Sequence, residues 1–174
     1  MIKLIDPLHI LDVGCGEGFD IQHLSSRIRM DSLRYCGLDL SLGALENAKV
    51  MLCKLPFAAV NGNIYHLPFA LNRFDAVLCL EVLEHLKYPE LALERISSSF
   101  QGACVFSVPN EPLYRLTRLI VYRRNLAQLG DHPDHLNHWS KRTFVRLLER
   151  YFVIERVVNP FPWTIVLCRS KGVR

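Results

Sequence analysis

The chain has 174 residues, half of them hydrophobic and 22 % charged, which excludes a disordered or disulfide-stapled polypeptide and fits one domain spanning 1–174 with a single well-filled core. The net charge of +4 and pI near 8.8 are mild, and basic residues are interleaved with acidic ones outside 115–124, so nucleic-acid binding is not indicated. The six cysteines stand singly with no C-x-x-C pair, and no stretch reaches the roughly 18 apolar residues of a membrane span; the chain reads as cytoplasmic with reduced core thiols.

In chain order, the first expected strand is His9–Val13, which runs into the turn Gly14-Cys15-Gly16-Glu17-Gly18 and then a helix over 20–28. A strand at 34–38 and a helix at 42–52 opened by Ser41 follow. Short apolar runs at 58–60, Ala76–Leu80 and 103–108 read as further strands covered on both faces. Helices are expected at 90–98 and at 141–151, the latter capped by Ser140. The chain closes with strands at Phe152–Val158 and 163–169, joined by Asn159-Pro160-Phe161-Pro162, hence an antiparallel hairpin. Alternation of strand and helix predicts an α/β, Rossmann-like three-layer sandwich on a mainly parallel sheet.

The glycine-rich turn after the first strand carries the strongest chemical signal. Glycines let the backbone turn tightly and bring a ligand close to main-chain atoms. A dinucleotide site would lay a pyrophosphate on G-x-G-x-x-G. Here the third glycine falls at Gly18 and position 19 is Phe, while Asp12 and Glu17 set carboxylates beside the turn. Those charges oppose a pyrophosphate and favour a cation such as a sulfonium or ammonium group. Asp39 lies about 20 residues further on, where a carboxylate accepts both hydrogen bonds of a ribose diol.

Four segments taken together resemble the class I S-adenosylmethionine-dependent methyltransferases, in particular the group that includes the ubiquinone and menaquinone biosynthesis methyltransferases. They are Leu11-Asp12-Val13-Gly14-Cys15-Gly16-Glu17-Gly18, the Asp39 that ends Tyr35-Cys36-Gly37-Leu38-Asp39, Gly62-Asn63-Ile64-Tyr65-His66-Leu67-Pro68-Phe69, and Phe74-Asp75-Ala76-Val77-Leu78-Cys79-Leu80-Glu81-Val82-Leu83-Glu84-His85-Leu86. The resemblance implies an S-adenosylmethionine site built from Asp12, Gly14, Gly16, Gly18, Asp39, Leu40, Asn63, Ile64 and Leu80. Asn63 stands where the family usually has an acid, and its carbonyl can still accept from the adenine amine. Gly14 and Leu80 are expected to offer main-chain groups to the methionine moiety, Leu40 the face and Ile64 the edge for the adenine.

The reaction expected is methyl transfer by in-line displacement to a small-molecule acceptor whose identity the variable segments decide. Glu81, Glu84 and His85 follow the fourth strand at the sheet edge where such folds bind ligands, and His85 is the expected base because its ordinary pKa lies near neutrality. Asp75 begins that strand at the opposite end and reads as structural. Residues 110–140 are expected to form a lid or acceptor-pocket insertion. Within it, 113–124 has apolar residues at helical spacing with a basic face, which also suits transient contact with a membrane surface. The cluster His132, His135 and His138 has no fixed metal-site spacing, so no metal is assigned; His135 and His138 are expected to face the acceptor, with His135 assisting His85. Family members commonly carry a helix before the first motif, whereas here the first strand starts almost at Met1. The alternative reading is therefore a protein that binds cofactor but is inactive or partner-dependent without that cap.

Overall fold

The computed structural model describes residues 9–25, 33–110 and 136–171. Seven strands form one sheet: β1 (His9–Val13), β2 (Arg34–Asp39), β3 (Phe57–Asn61), β4 (Ala76–Leu80), β5 (Ala103–Pro109), β6 (Phe152–Val158) and β7 (Trp163–Ser170). Their order is β3-β2-β1-β4-β5-β7-β6. The first five pair in parallel, and the C-terminal hairpin enters antiparallel with β7 against β5. Chain order places β6 before β7, yet β7 takes the inner position and leaves β6 at the edge.

Among the described residues the helices are α1 (Phe19–Ser25), α2 (Leu42–Met51), α3 (Pro89–Ser99) and α4 (Lys141–Glu149). The caps read from the sequence are present: the Ser41 hydroxyl accepts from Ala44 N–H and the Ser140 hydroxyl from Thr143 N–H, each satisfying one donor that the first helical turn leaves open. In α4 the buried residues Phe144, Leu147 and Leu148 stand at i, i+3 and i+4, the stripe of a helix lying on a sheet. Two short 3-10 turns, Leu71–Arg73 and Leu83–His85, lie in stretches where no element was expected.

Alternation along the strands divides the interior in two, since successive strand residues point to opposite faces. Leu11, Val77, Cys79, Cys104 and Phe106 pack with Leu93 and Ile96 of α3 and Phe144 and Leu148 of α4. Ile10, Tyr35, Ala76, Leu78 and Val105 pack on the other face with Ile21 of α1 and Leu52 at the end of α2. The expected three-layer sandwich is the observed one. Cys15, Cys79, Cys104 and Cys168 are buried, but Cys36 is half-buried and Cys53 exposed, so not every cysteine is a core thiol. No helix among the described residues is long and apolar enough to cross a membrane.

The strand order turns one way from β1 toward β2 and β3 and the other way toward β4 and β5. At such a switch point the connections leave in opposite directions and open a crevice at the carboxyl ends of the strands. Gly14 after β1, Asp39 ending β2 and Glu81 after β4 all lie at that edge.

Candidate functional site at the carboxyl edge of the sheet

The glycine turn folds over the end of β2. Gly14 N–H and Cys15 N–H both donate to the Leu38 carbonyl, at 2.7 and 3.1 Å. Gly14 has a φ of 79°, and a Cβ there would sit 2.4 Å from Cγ2 of Val82, so both the backbone conformation and the close approach of the β4 loop require glycine. Gly18 packs against Leu52, whereas a Cβ at Gly16 would point into open space. The Gly16 main chain is thus accessible to a ligand.

Asp39 joins the two halves of the site. Its Oδ2 accepts from Gly16 N–H at 2.9 Å and its Oδ1 from Ser41 N–H at 2.8 Å. Two bonds leave free acceptor positions on both oxygens, because an ionised carboxylate has about four. Asn61 steadies this corner by donating to the carbonyls of Asp39 and Leu40. Leu40, at the rim, is 67 % exposed, whereas Ile64 is buried. Asn63 spends one acceptor position of its side-chain carbonyl on Tyr65 N–H, 2.9 Å away, and the other remains for a ligand amine.

Gly14, Asp39, Leu40 and Ile64 line a cavity of about 280 Å³ together with Val13, Leu38, Gly62, Glu81, Val82, His85 and Leu86. No lysine or arginine is among them, and Asp39 and Glu81 are. Burial pushes Glu81 up to about 7, against the pull of hydrogen bonds from Ser107 and Trp163. Glu84 is only 1 % exposed, and neither of its carboxyl oxygens has a hydrogen-bond partner among the described residues. Burial and the neighbouring Glu81 carry it up to about 8, so the protonated form dominates at pH 7. A crevice of this kind attracts a cation and repels a pyrophosphate. An adenosyl sulfonium with its amino-acid ammonium fits this set: a diol acceptor at Asp39, apolar contacts at Leu40 and Ile64, and negative charge around the turn.

Of the residues expected at the cofactor site, Asp12, Gly16, Gly18, Asn63 and Leu80 lie outside the cavity wall. Asp12 is buried on the α1 side of β1 and accepts a hydrogen bond from the Tyr35 hydroxyl; burial raises it to about 7. It supports the turn from beneath. Leu80 is half-buried in β4, paired in register with Ser107. His85 does line the cavity, on the Leu83–His85 turn. Asp75 exchanges hydrogen bonds with His9 at the opposite sheet edge, a structural role. His132, His135 and the segment 113–124 lie outside the described residues.

The loop before α4 is fastened to the Leu83–His85 turn by contacts that the sequence did not announce. The N–H groups of Leu136 and Asn137 donate to the Glu84 carbonyl at 2.8 and 3.0 Å, and the Asn137 amide donates to the Leu86 carbonyl at 2.6 Å. His138 is exposed on this loop. Also overlooked were Ser107 and Trp163, which converge on Glu81 from β5 and β7. A lone serine within the apolar run Ala103–Pro109 was the available signal, because a buried hydroxyl needs a partner.

Residues 11–101 match the family described as "Methyltransferase domain". Proteins named ubiquinone biosynthesis O-methyltransferase from Coxiella burnetii and Alkalilimnicola ehrlichii are similar, at 28 % identity over 155 residues and 29 % over 152. The alignments cover 81 % and 79 % of this chain and 64 % and 60 % of those proteins; the chain thus spans less than two-thirds of these relatives. Among solved structures, a protein of Pyrococcus horikoshii OT3 shares the fold with a TM-score of 0.75 at 16 % identity, covering 98 % of this chain and 85 % of that one.

Proposed function

The chain belongs to the methyltransferase-domain family, and from that premise we propose that it transfers the methyl group of S-adenosylmethionine to a hydroxyl oxygen of a small-molecule acceptor. The observation that carries this reading is the acid-lined crevice at the switch point, with Asp39 offering free acceptor positions beside an accessible glycine turn. The relatives named for O-methylation in ubiquinone biosynthesis support oxygen as the acceptor atom. When bound, the cofactor supplies an activated methyl on a sulfonium.

The chain's own residues have separate tasks in this reading. Asp39 holds the ribose hydroxyls, Leu40 and Ile64 pack on the adenine, and Asn63 accepts from its amine. The Gly14–Gly16 main chain sets the depth of the methionine arm. Alignment of donor, methyl and acceptor is the main catalytic contribution, because positioning alone removes much of the barrier to an in-line displacement. Glu81 and His85 are the cavity-wall residues assigned to the acceptor side.

Calorimetry with S-adenosylmethionine, S-adenosylhomocysteine and NAD tests the reading. Both adenosyl ligands are expected to bind and NAD to give no heat. A folded sample that binds neither adenosyl ligand, or that prefers NAD, overturns it.

A further inference from the structure

We propose that Glu81 is the residue that takes the proton from the acceptor hydroxyl, and that Ser107 and Trp163 position its carboxylate for that task. This rests on the methyl-transfer reading above and goes beyond it by assigning the base, which the sequence placed at His85.

Four independent features single out Glu81. It is the first residue after β4, at the switch-point crevice, and lines the same cavity as Gly14 and Asp39. It is the only described residue other than glycine with a positive φ, 54°. Side chains held in that region persist where the surroundings over-determine them, and such residues cluster at working sites. Its N–H is anchored to the Ser107 carbonyl at 3.2 Å and to the Ser107 hydroxyl at 3.1 Å. The same hydroxyl donates to Glu81 Oε1 at 2.6 Å, and the Trp163 side chain donates as well. Ser107 is itself only 5 % exposed. Two strands, β5 through the buried Ser107 hydroxyl and β7 through Trp163, therefore direct donors at one carboxylate, which fixes its direction and leaves acceptor positions unspent.

The electrostatic setting suits a base near neutrality. Facing Glu81 among the described residues are Asp20 from α1, Glu84 from the Leu83–His85 turn, the Ser107 hydroxyl from β5 and the Trp163 indole from β7; His85 shares the cavity wall. Burial and, to a lesser extent, Asp20 raise its proton affinity, while the two donors hold the charged form in reach, giving a value of about 7. A base with this affinity works best near the operating pH. In the step itself the acceptor O–H bond breaks and its proton goes to the Glu81 carboxylate. The oxygen electron pair forms the new O–CH3 bond, the S–CH3 bond breaks, and its electron pair stays on sulfur as a neutral thioether.

The test uses the whole chain with S-adenosylhomocysteine or S-adenosylmethionine and two probes, catechol and the far more acidic 4-nitrocatechol. Glu81→Gln is expected to keep S-adenosylhomocysteine affinity within about threefold and to lose on the order of 10² to 10⁴ in kcat with catechol. The loss should be much smaller with 4-nitrocatechol at a pH where it is already ionised. The limb of the wild-type pH–kcat profile near 7 should vanish in Glu81→Gln and move to higher pH in Ser107→Ala, which removes a donor that favours the charged form. Independently of turnover, 4-nitrocatechol binding to the S-adenosylhomocysteine complex at pH 8, where the phenol and Glu81 are both ionised when apart, should take up a proton in the wild type and not in Glu81→Gln. Equal losses with both probes, an unmoved pH limb, or failure of either probe to bind a protein that does bind S-adenosylhomocysteine overturns the assignment of Glu81 and leaves the cofactor site standing. Failure to bind S-adenosylhomocysteine at all overturns the reading beneath it.

Discussion

Gly14→Ala tests whether the close approach between the turn after β1 and the loop after β4 sets the cofactor site. An alanine at Gly14 must adopt a φ of 79°, which costs an L-residue roughly 1–2 kcal/mol. Its Cβ would also lie 2.4 Å from Val82 Cγ2 and 3.2 Å from Cγ1. Ordinary carbon contacts begin at about 3.5 Å, so the two segments must part by about 1 Å, an overpacking cost of about 1–3 kcal/mol. The expected total is about 2–5 kcal/mol of stability, with weaker S-adenosylhomocysteine binding because the crevice widens. Val82→Ala removes both γ carbons and leaves the nearest Val82 atom, Cβ, at 3.4 Å. The double variant should therefore regain the steric part and keep the conformational part. Urea denaturation of the two single variants and the double variant gives a coupling energy, expected at about 1–3 kcal/mol. Additivity within about 0.5 kcal/mol would refute the contact as the source of the cost.

Asp39→Ala removes the acceptor for both ribose hydroxyls and the anchor of Gly16 and Ser41 N–H; S-adenosylhomocysteine affinity should fall by about 1.5–3 kcal/mol, roughly 10- to 150-fold, and unchanged affinity by calorimetry in a folded variant would remove Asp39 from the site. Glu84 has its folded pKa raised from 4.5 to about 8, so the folded chain keeps a proton that the unfolded chain releases. That contribution is fully present below about pH 4.5 and is lost as pH rises through about 8; Asp12 and Glu81 act in the same direction, up to about 7. The urea midpoint of the ligand-free protein should therefore decline between pH 5 and 8.5, and Glu84→Gln should flatten that decline. An equally steep profile in the variant would show that Glu84 is not the group responsible.

What the sequence determined by itself was whatever is written in neighbouring residues. Apolar runs bounded by turns marked all seven strands to within a residue or two at their ends, and Ser41 and Ser140 marked two helix starts through their own hydroxyls. The glycine turn and the Asp39 that follows it were legible because both lie within one strand-turn-helix-strand unit. The tertiary structure decided what depends on distant strands. The position of β7 between β5 and β6 follows from pairing, and periodicity tells which face a side chain takes without telling which strand lies beside it. For this reason Asp12, beside the glycine turn in sequence, proved to face Tyr35 under the sheet. It is also why Glu81, Ser107 and Trp163, far apart along the chain, meet only once β4, β5 and β7 are in register. The turn that carries Glu84 is likewise tied down from far along the chain, by the Leu136 and Asn137 N–H groups on the Glu84 carbonyl. A side chain's proton affinity is set by the solvent and charges around it, and those are supplied by the parts of the chain that fold over it.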